Sequence, residues 1–137
     1  MKKLFFVLIC ISFYSCKVQP KISIANTLEI ALDNHNKYSE YVNILNKAFE
    51  KDSTALLSFF KIDYIYDAAG YDHGYILFQL LKIYGDKKFS NILQKANEKD
   101  LNNVRVYFEV GMDSNSDYQN DEIKKAYPIS SKILNLK

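Results

Sequence analysis

The sequence has few of the residues that cross-link or interrupt a chain. Among 137 residues there are two cysteines, two prolines and four glycines, and tryptophan is absent. With so few turn-forming residues, a fold of many short β-strands is disfavoured and helices are expected. Hydrophobic residues make up 48% of the chain and charged residues 25%, which excludes wholesale disorder and fits one globular domain.

The N-terminal stretch MKKLFFVLICISFYSCKVQP has the order of a secretory signal. Two lysines precede an apolar run from Leu4 to Tyr14, and the small residue Ser15 comes directly before Cys16. The run is too short to span a bilayer, because a spanning helix needs about 20 apolar residues. We therefore expect this segment to be removed during export.

The ending FYSC resembles the signal of bacterial lipoproteins, in which a cysteine becomes the lipidated first residue of the mature protein. The sequence departs from the usual pattern at Phe13 and Tyr14. The resemblance implies a signal peptide over residues 1–15 and a lipidated tether over residues 16–23. Lipid on Cys16 would anchor the protein to a membrane of the bacterial cell envelope, on the periplasmic or outer-membrane side. Cleavage by the ordinary signal peptidase is the alternative, and it would give a secreted soluble domain.

Removal of the signal changes the charge balance and the cysteine content. Lys2 and Lys3 leave with residues 1–15, so 16 of the 18 basic residues remain against 16 acidic residues. A nucleic-acid partner is not expected, because such binding needs an excess of basic side chains. Cys10 also leaves and Cys16 would carry lipid, so the mature body has no disulfide and no thiolate metal ligand.

Apolar residues recur at helical spacing over residues 24–137, which predicts a single all-α domain. The pattern is clearest from Tyr38 to Phe49. The stretch from Val104 to Val110 also alternates like a strand, but no partner strand is evident and we favour a helix. The residues expected to begin or end helices are Ser53, Asp63, Gly85, Asp86, Asp100, Gly111 and Pro128. We expect five or six short antiparallel amphipathic helices, forming a bundle or a short α-solenoid that loosely resembles a small HEAT-like helical-hairpin protein.

The stretch DAAGYDHG, from Asp67 to Gly74, concentrates acids, glycines and one of the two histidines. The candidate binding or structural site consists of Asp67, Tyr71, Asp72 and His73. If one helix spans the stretch, Gly70 and Gly74 lie one turn apart and leave room for a neighbouring helix. Alternatively, the helix ends at Gly70 and a new one starts with Asp72 as its cap.

We expect His73 to be structural, with a hydrogen bond to a neighbouring helix terminus or to a carboxylate such as Asp67. Neither histidine has a second one at the spacing of a helical metal site, and no G-x-S-x-G nucleophile motif occurs. The stretch from Asp113 to Lys124 resembles a calcium loop, but Tyr118 replaces its glycine and Lys124 its closing glutamate. We therefore expect no catalytic residues, no metal and no cofactor.

Four tyrosines lie close together around the candidate site, namely Tyr64, Tyr66, Tyr71 and Tyr75. They cannot all face the core of one helix, so some are expected to be exposed and available to a partner. These observations favour a non-enzymatic module that binds an envelope protein or a peptide. The alternatives are a hydrolase-like enzyme that uses His73 with nearby carboxylates, and a carrier that holds an apolar ligand between helices.

Overall fold

A computed structural model describes residues 18–113 and 120–136 of the chain. Over these ranges the protein is all helical, as predicted, with eight helices and no strand. The helices are α1 (Asn26–Asn34), α2 (Tyr38–Phe49), α3 (Ser53–Phe59), α4 (Asp67–Tyr84), α5 (Asp86–Leu93), α6 (Glu98–Asp113), α7 (Asn120–Ala126) and α8 (Pro128–Leu134). In the described ranges, no helix is both long and apolar enough to cross a membrane.

The described helices number eight rather than the five or six expected, and no helix was predicted from the sequence after Pro128, where α8 lies. Pro128 was expected to end the preceding helix, and α7 does end at Ala126. However, Pro128 also occupies the first turn of α8. A proline is well tolerated there, because the first N–H groups of a helix have no acceptor within the helix.

Several helices begin or end a few residues from the predicted positions. The cap of α3 is Asp52 rather than Ser53, and its carboxylate accepts the N–H groups of Thr54 and Ala55 at 2.8 and 3.1 Å. The long helix α4 begins at Asp67 instead of after Asp63. A neighbouring residue of similar chemistry thus takes the capping role at α3, while residues 62–66 before α4 form a loop.

Helix α6 also differs from its predicted limits. It begins at Glu98, ahead of the expected cap Asp100, and the side chain of Asn97 accepts the N–H of Asp100 at 2.9 Å. It continues past Gly111 to Asp113, so the prediction that Gly111 ends the helix is wrong. The stretch from Val104 to Val110 is helical, as favoured, and it buries one face against the core.

The core surrounds α4, which contacts α1, α2, α5 and α6. The buried side chains of α4 include Ile76, Leu77, Leu80 and Leu81. They form one broad buried face of its C-terminal half, while Lys82 on the opposite side is exposed. The first turns of α4, by contrast, alternate buried and exposed positions.

The turn between α4 and α5 is hydrogen-bonded to α8, the last helix of the described residues. Gly85 has a φ of +73°, a conformation that favours glycine, and it separates the two helices as predicted. Asp86 was expected to cap α5, but its carboxylate accepts the N–H groups of Ile129 and Ser130 at 2.9 and 2.8 Å. Asp86 therefore places a negative charge at the N-terminus of α8, where the helix dipole favours it.

The chain before α1 lies against α2. The backbone N–H of Lys21 donates to Asn46 Oδ1 at 2.7 Å, and Asn46 Nδ2 donates to the carbonyl of Gln19 at 2.9 Å. The side chain of Lys21 pairs with Glu50. Three apolar residues of this stretch, Val18, Ile22 and Ile24, are partly buried on the core. We call residues 18–24 the docked segment.

Candidate functional site

The candidate site begins where a loop leads into α4. Tyr107 of α6 binds this loop, because its hydroxyl donates to the carbonyl of Ile65 at 2.9 Å and accepts the N–H of Ile65 at 3.3 Å. Asp67 starts the helix with a φ of +52°, a left-handed conformation that Asp tolerates better than most residues. The loop that leads into α4 is therefore held in place by hydrogen bonds to α6.

Helix α4 runs through the candidate site without a break. The alternative in which the helix ends at Gly70 and restarts at Asp72 is wrong. Gly70 and Gly74 lie one turn apart on a buried face, and Leu77 and Leu81 continue that face as predicted. The two glycines thus belong to the interior of a helix.

The four candidate residues do not converge on one site, although Asp67 and Tyr71 lie one turn apart on the exposed side of α4. Asp67 is exposed, the ring of Tyr71 is 44% exposed, and Asp72 accepts a hydrogen bond from the hydroxyl of Thr27 on α1. His73 is only 1% exposed. Successive residues of a helix are about 100° apart around its axis, so neighbours in sequence face different surroundings.

His73 lies in an aromatic cluster formed by α2, α3 and α6. Its Nδ1 atom is 2.8 Å from the hydroxyl oxygen of Tyr41. Its ring centroid is 4.9 Å from that of Phe59 and 4.5 Å from that of Tyr107. The prediction that His73 forms a hydrogen bond with a helix terminus or with Asp67 is therefore wrong. Asp67 is six positions earlier on the same helix and therefore about 120° away around its axis.

Burial also keeps this cluster neutral. Loss of solvent lowers the pKa of His73 from its ordinary value of 6.5 to about 3, and it raises the pKa of Tyr41 well above 10. The pKa of Tyr107 is also raised, chiefly by burial. At neutral pH, His73 is uncharged and enclosed by aromatic rings, so it serves as a packing and hydrogen-bonding residue of the core.

The close approach of a neighbouring helix that was expected at the two glycines occurs at Gly74, and the partner that sequence reasoning missed is Gly111 of α6. A Cβ atom added to Gly74 would lie 1.9 Å from the carbonyl oxygen of Tyr107, and one added to Gly111 would lie 2.6 Å from the carbonyl carbon of Gly74. Such distances are far below van der Waals contact, so the two backbones touch. At Gly70 the nearest atom would be 3.7 Å away, which is an ordinary contact.

The tyrosines around the candidate site divide as predicted into buried and exposed members. Tyr66 is 68% exposed and Tyr71 is 44% exposed, whereas Tyr64 and Tyr75 are partly buried. The ring of Tyr64 lies beneath the ammonium group of Lys37, 5.6 Å from the ring centroid. We call Tyr66 and Tyr71, at the N-terminal end of α4, the tyrosine surface.

A shallow groove of about 550 Å³ runs between α6 and α8. Apolar side chains of Leu101 and Ile133 line it, together with the charged residues Glu98, Lys99 and Arg105. It is separate from the tyrosine surface in its lining residues, and no part of the sequence analysis indicated it. No local sequence pattern could predict the groove, because its two walls are about 30 residues apart in the chain.

Two of the candidate features fall partly or wholly outside the described residues. Cys16 lies outside them, as does the middle of the calcium-like stretch, residues 114–119. Within the described ranges, no group of three or more His, Cys, Asp and Glu side chains is placed to hold a metal ion. The chain has no significant match to a protein-family model, to a curated protein or to a solved structure.

Replacement of Gly74 by alanine should destabilise the protein. The added methyl group would overlap the backbone of α6, so we expect the free energy of unfolding to fall by about 1–3 kcal/mol or more. The matched control is Gly70→Ala, where the methyl group has room and the change should stabilise the helix by about 0.5–1 kcal/mol. Urea unfolding measures both. Equal stabilities of the two variants would contradict the backbone contact.

Replacement of His73 by glutamine should make stability less dependent on pH. In the unfolded chain His73 binds a proton below its ordinary pKa of 6.5, whereas the folded protein resists protonation until about pH 3. Stability contributed by neutral His73 is therefore complete above pH 6.5 and is lost as the pH falls from there toward 3. The loss between pH 7 and pH 5 amounts to about 2 kcal/mol.

The matched control for this measurement is His35→Gln, because His35 is exposed. Urea unfolding at pH 7, 6 and 5 should show a steeper decline for the parent protein and His35→Gln than for His73→Gln. If all three proteins decline in parallel, His73 is not held neutral by burial.

Proposed function

We propose that the chain is a lipid-anchored protein of the bacterial cell envelope whose helical domain binds another protein or a peptide. The observation that carries the binding role is the exposure of the tyrosine surface at the start of α4. The order of basic residues, apolar run, serine and cysteine at residues 1–16 supports the anchor. Both parts are testable separately.

The tyrosine surface suits a protein partner better than a reaction. Tyrosine combines a large apolar ring with a polar hydroxyl, and it is enriched where proteins meet. The exposed residue Asp67 directly follows Tyr66 in the chain and lies one helical turn before Tyr71. His73, in contrast, is enclosed by the core and gives no support to the hydrolase alternative, because a substrate would have to open the aromatic cluster.

The groove between α6 and α8 is the observation that favours the carrier alternative. Its apolar residues lie beside Arg105, with Glu98 and the Asp63-paired Lys99 also in the lining, so it would suit an amphipathic ligand whose acidic group binds Arg105. A ligand held there would be insensitive to changes at Tyr66 and Tyr71, which distinguishes carriage from partner binding.

For the architecture, we propose a helix bundle rather than a short α-solenoid. In a solenoid each repeat contacts only its neighbours along the chain. Here α4 makes its most extensive contact with α6, α1 contacts α4, and α5 contacts α8. In a solenoid built of helix pairs these contacts would also join neighbouring repeats, so the bundle rests instead on the single core cluster to which the described helices contribute buried side chains.

Replacement of Cys16 by serine should abolish anchoring. Without the thiol no acyl chain can be attached, so we expect the protein to move from the detergent phase to the aqueous phase in detergent partitioning. Intact-mass analysis should show acyl chains on a parent protein that begins at Cys16, and none on Cys16→Ser. A parent protein that begins at another residue and stays in the aqueous phase would rule out the anchor.

Replacement of Tyr71 by serine should weaken partner binding. The loss of an interface tyrosine commonly costs about 1–2 kcal/mol, so we expect roughly tenfold less cross-linked complex in the native envelope. The matched control is Val106→Ser on α6, because Val106 is 46% exposed and Tyr71 44%. Equal cross-linking of the two variants would place the partner elsewhere.

A further inference from the structure

The docked segment is bound at one end of the domain. Gln19 and Lys21 both bond to Asn46, and Lys21 also pairs with Glu50, one residue beyond the C-terminus of α2. Val18 and Ile22 add partly buried apolar contacts. The chain therefore enters the domain beside residues 46–52, which comprise the last turn of α2 and the turn into α3. We call residues 46–52 the α2 end.

Very little chain separates this entry point from the lipidation site. Only Lys17 stands between Cys16 and Val18, the first residue of the docked segment. Consecutive Cα atoms are 3.8 Å apart, so Val18 lies within about 8 Å of Cys16. If acyl chains on Cys16 enter a bilayer, the docked segment cannot move far from the headgroups.

The α2 end and the tyrosine surface lie at opposite ends of α4. The hydroxyl of Tyr84, the last residue of α4, donates to the carbonyls of Ala48 and Asp52 at 2.9 and 3.0 Å. This places the C-terminus of α4 beside the α2 end. The helix has 18 residues and is about 27 Å long, so Asp67 lies about 25 Å along it from Tyr84.

The α2 end and the tyrosine surface also differ in charge. Around the entry point the described basic residues are Lys21, Lys47 and Lys51, and the acidic residues are Glu50 and Asp52. Near the start of α4 three aspartates, at positions 63, 67 and 72, stand against Lys61 and against Lys99, which pairs with Asp63. Anionic lipid headgroups therefore favour the first arrangement over the second.

We propose that the α2 end faces the membrane surface and that the tyrosine surface points away from it. This orientation rests on the lipid anchor proposed above and adds the face that contacts lipid. The occupant of the α2 end is a bilayer that contains anionic phospholipid. Attachment through Cys16 and Lys17 holds the domain upright, so the tyrosine surface is presented to a partner outside the headgroup layer.

The test uses the full-length lipidated protein in vesicles of phosphatidylethanolamine and phosphatidylglycerol with acceptor dyes on the headgroups. Acylated Cys16 has no free thiol and Cys10 is removed, so an introduced cysteine takes a donor dye alone. Lys47→Cys places the donor at the α2 end, and Ala68→Cys places it beside the tyrosine surface. Both residues are exposed and helical.

We expect energy transfer to the headgroups to be at least about twofold greater from Lys47→Cys than from Ala68→Cys, given their separation along the fold. The control carries a Gly/Ser linker of about 20 residues before Val18, which allows the domain to reorient and should remove the difference. Equal transfer from both positions, or greater transfer from Ala68→Cys, would overturn the orientation.

Intact mass of the same samples separates failure of the orientation from failure of the anchor. Acylated protein with equal transfer from the two positions overturns the orientation alone. Protein without acyl chains overturns both proposals. A difference in transfer that survives the linker would overturn the short connection as the cause of the orientation.

Discussion

The contact of two helix backbones at Gly74 and Gly111 is the constraint on which the rest of the structure depends. No Cβ fits at either position, so the backbones of α4 and α6 are in direct contact there. This contact places Tyr107 of α6 against His73 and within hydrogen-bonding distance of Ile65. One backbone contact thereby positions the aromatic cluster, the loop before α4 and the direction in which α4 begins.

The bond between Tyr41 and His73 adds a second, polar constraint between α2 and α4. Both groups are buried, and a buried polar group without a partner costs more than its hydrogen bond contributes when formed. The two rings therefore favour one relative position of the helices over others that an apolar core would tolerate. The neutrality of His73 follows from the same enclosure, since no solvent reaches the ring to stabilise a charge.

The sequence predicted local features well and tertiary contacts poorly, for identifiable reasons. The helix from Tyr38 to Phe49 is visible because its apolar spacing matches the helical repeat. Glycine is ambiguous, because it ends helices and also allows them to touch. Gly111 was predicted to end α6, but it lies within the helix and allows it to contact α4. Nothing within the sequence distinguishes Gly70 from Gly74 either. Only the position of α6 leaves space for a Cβ atom at Gly70 and none at Gly74.

The same limit explains the side chains of the candidate site. The partner of His73 is 32 positions away in the chain, and the partners of Asp86 are 43 and 44 positions away. A compositional cluster such as DAAGYDHG suggests joint chemistry, but the rotation of a helix sends its members to solvent, to α1 and to the core. Packing accounts for Gly74 and His73, and the bond to Thr27 accounts for Asp72. Tyr71 presents much of its ring to solvent, so the role of this stretch in recognition, as distinct from folding, depends on that residue and its neighbour Tyr66.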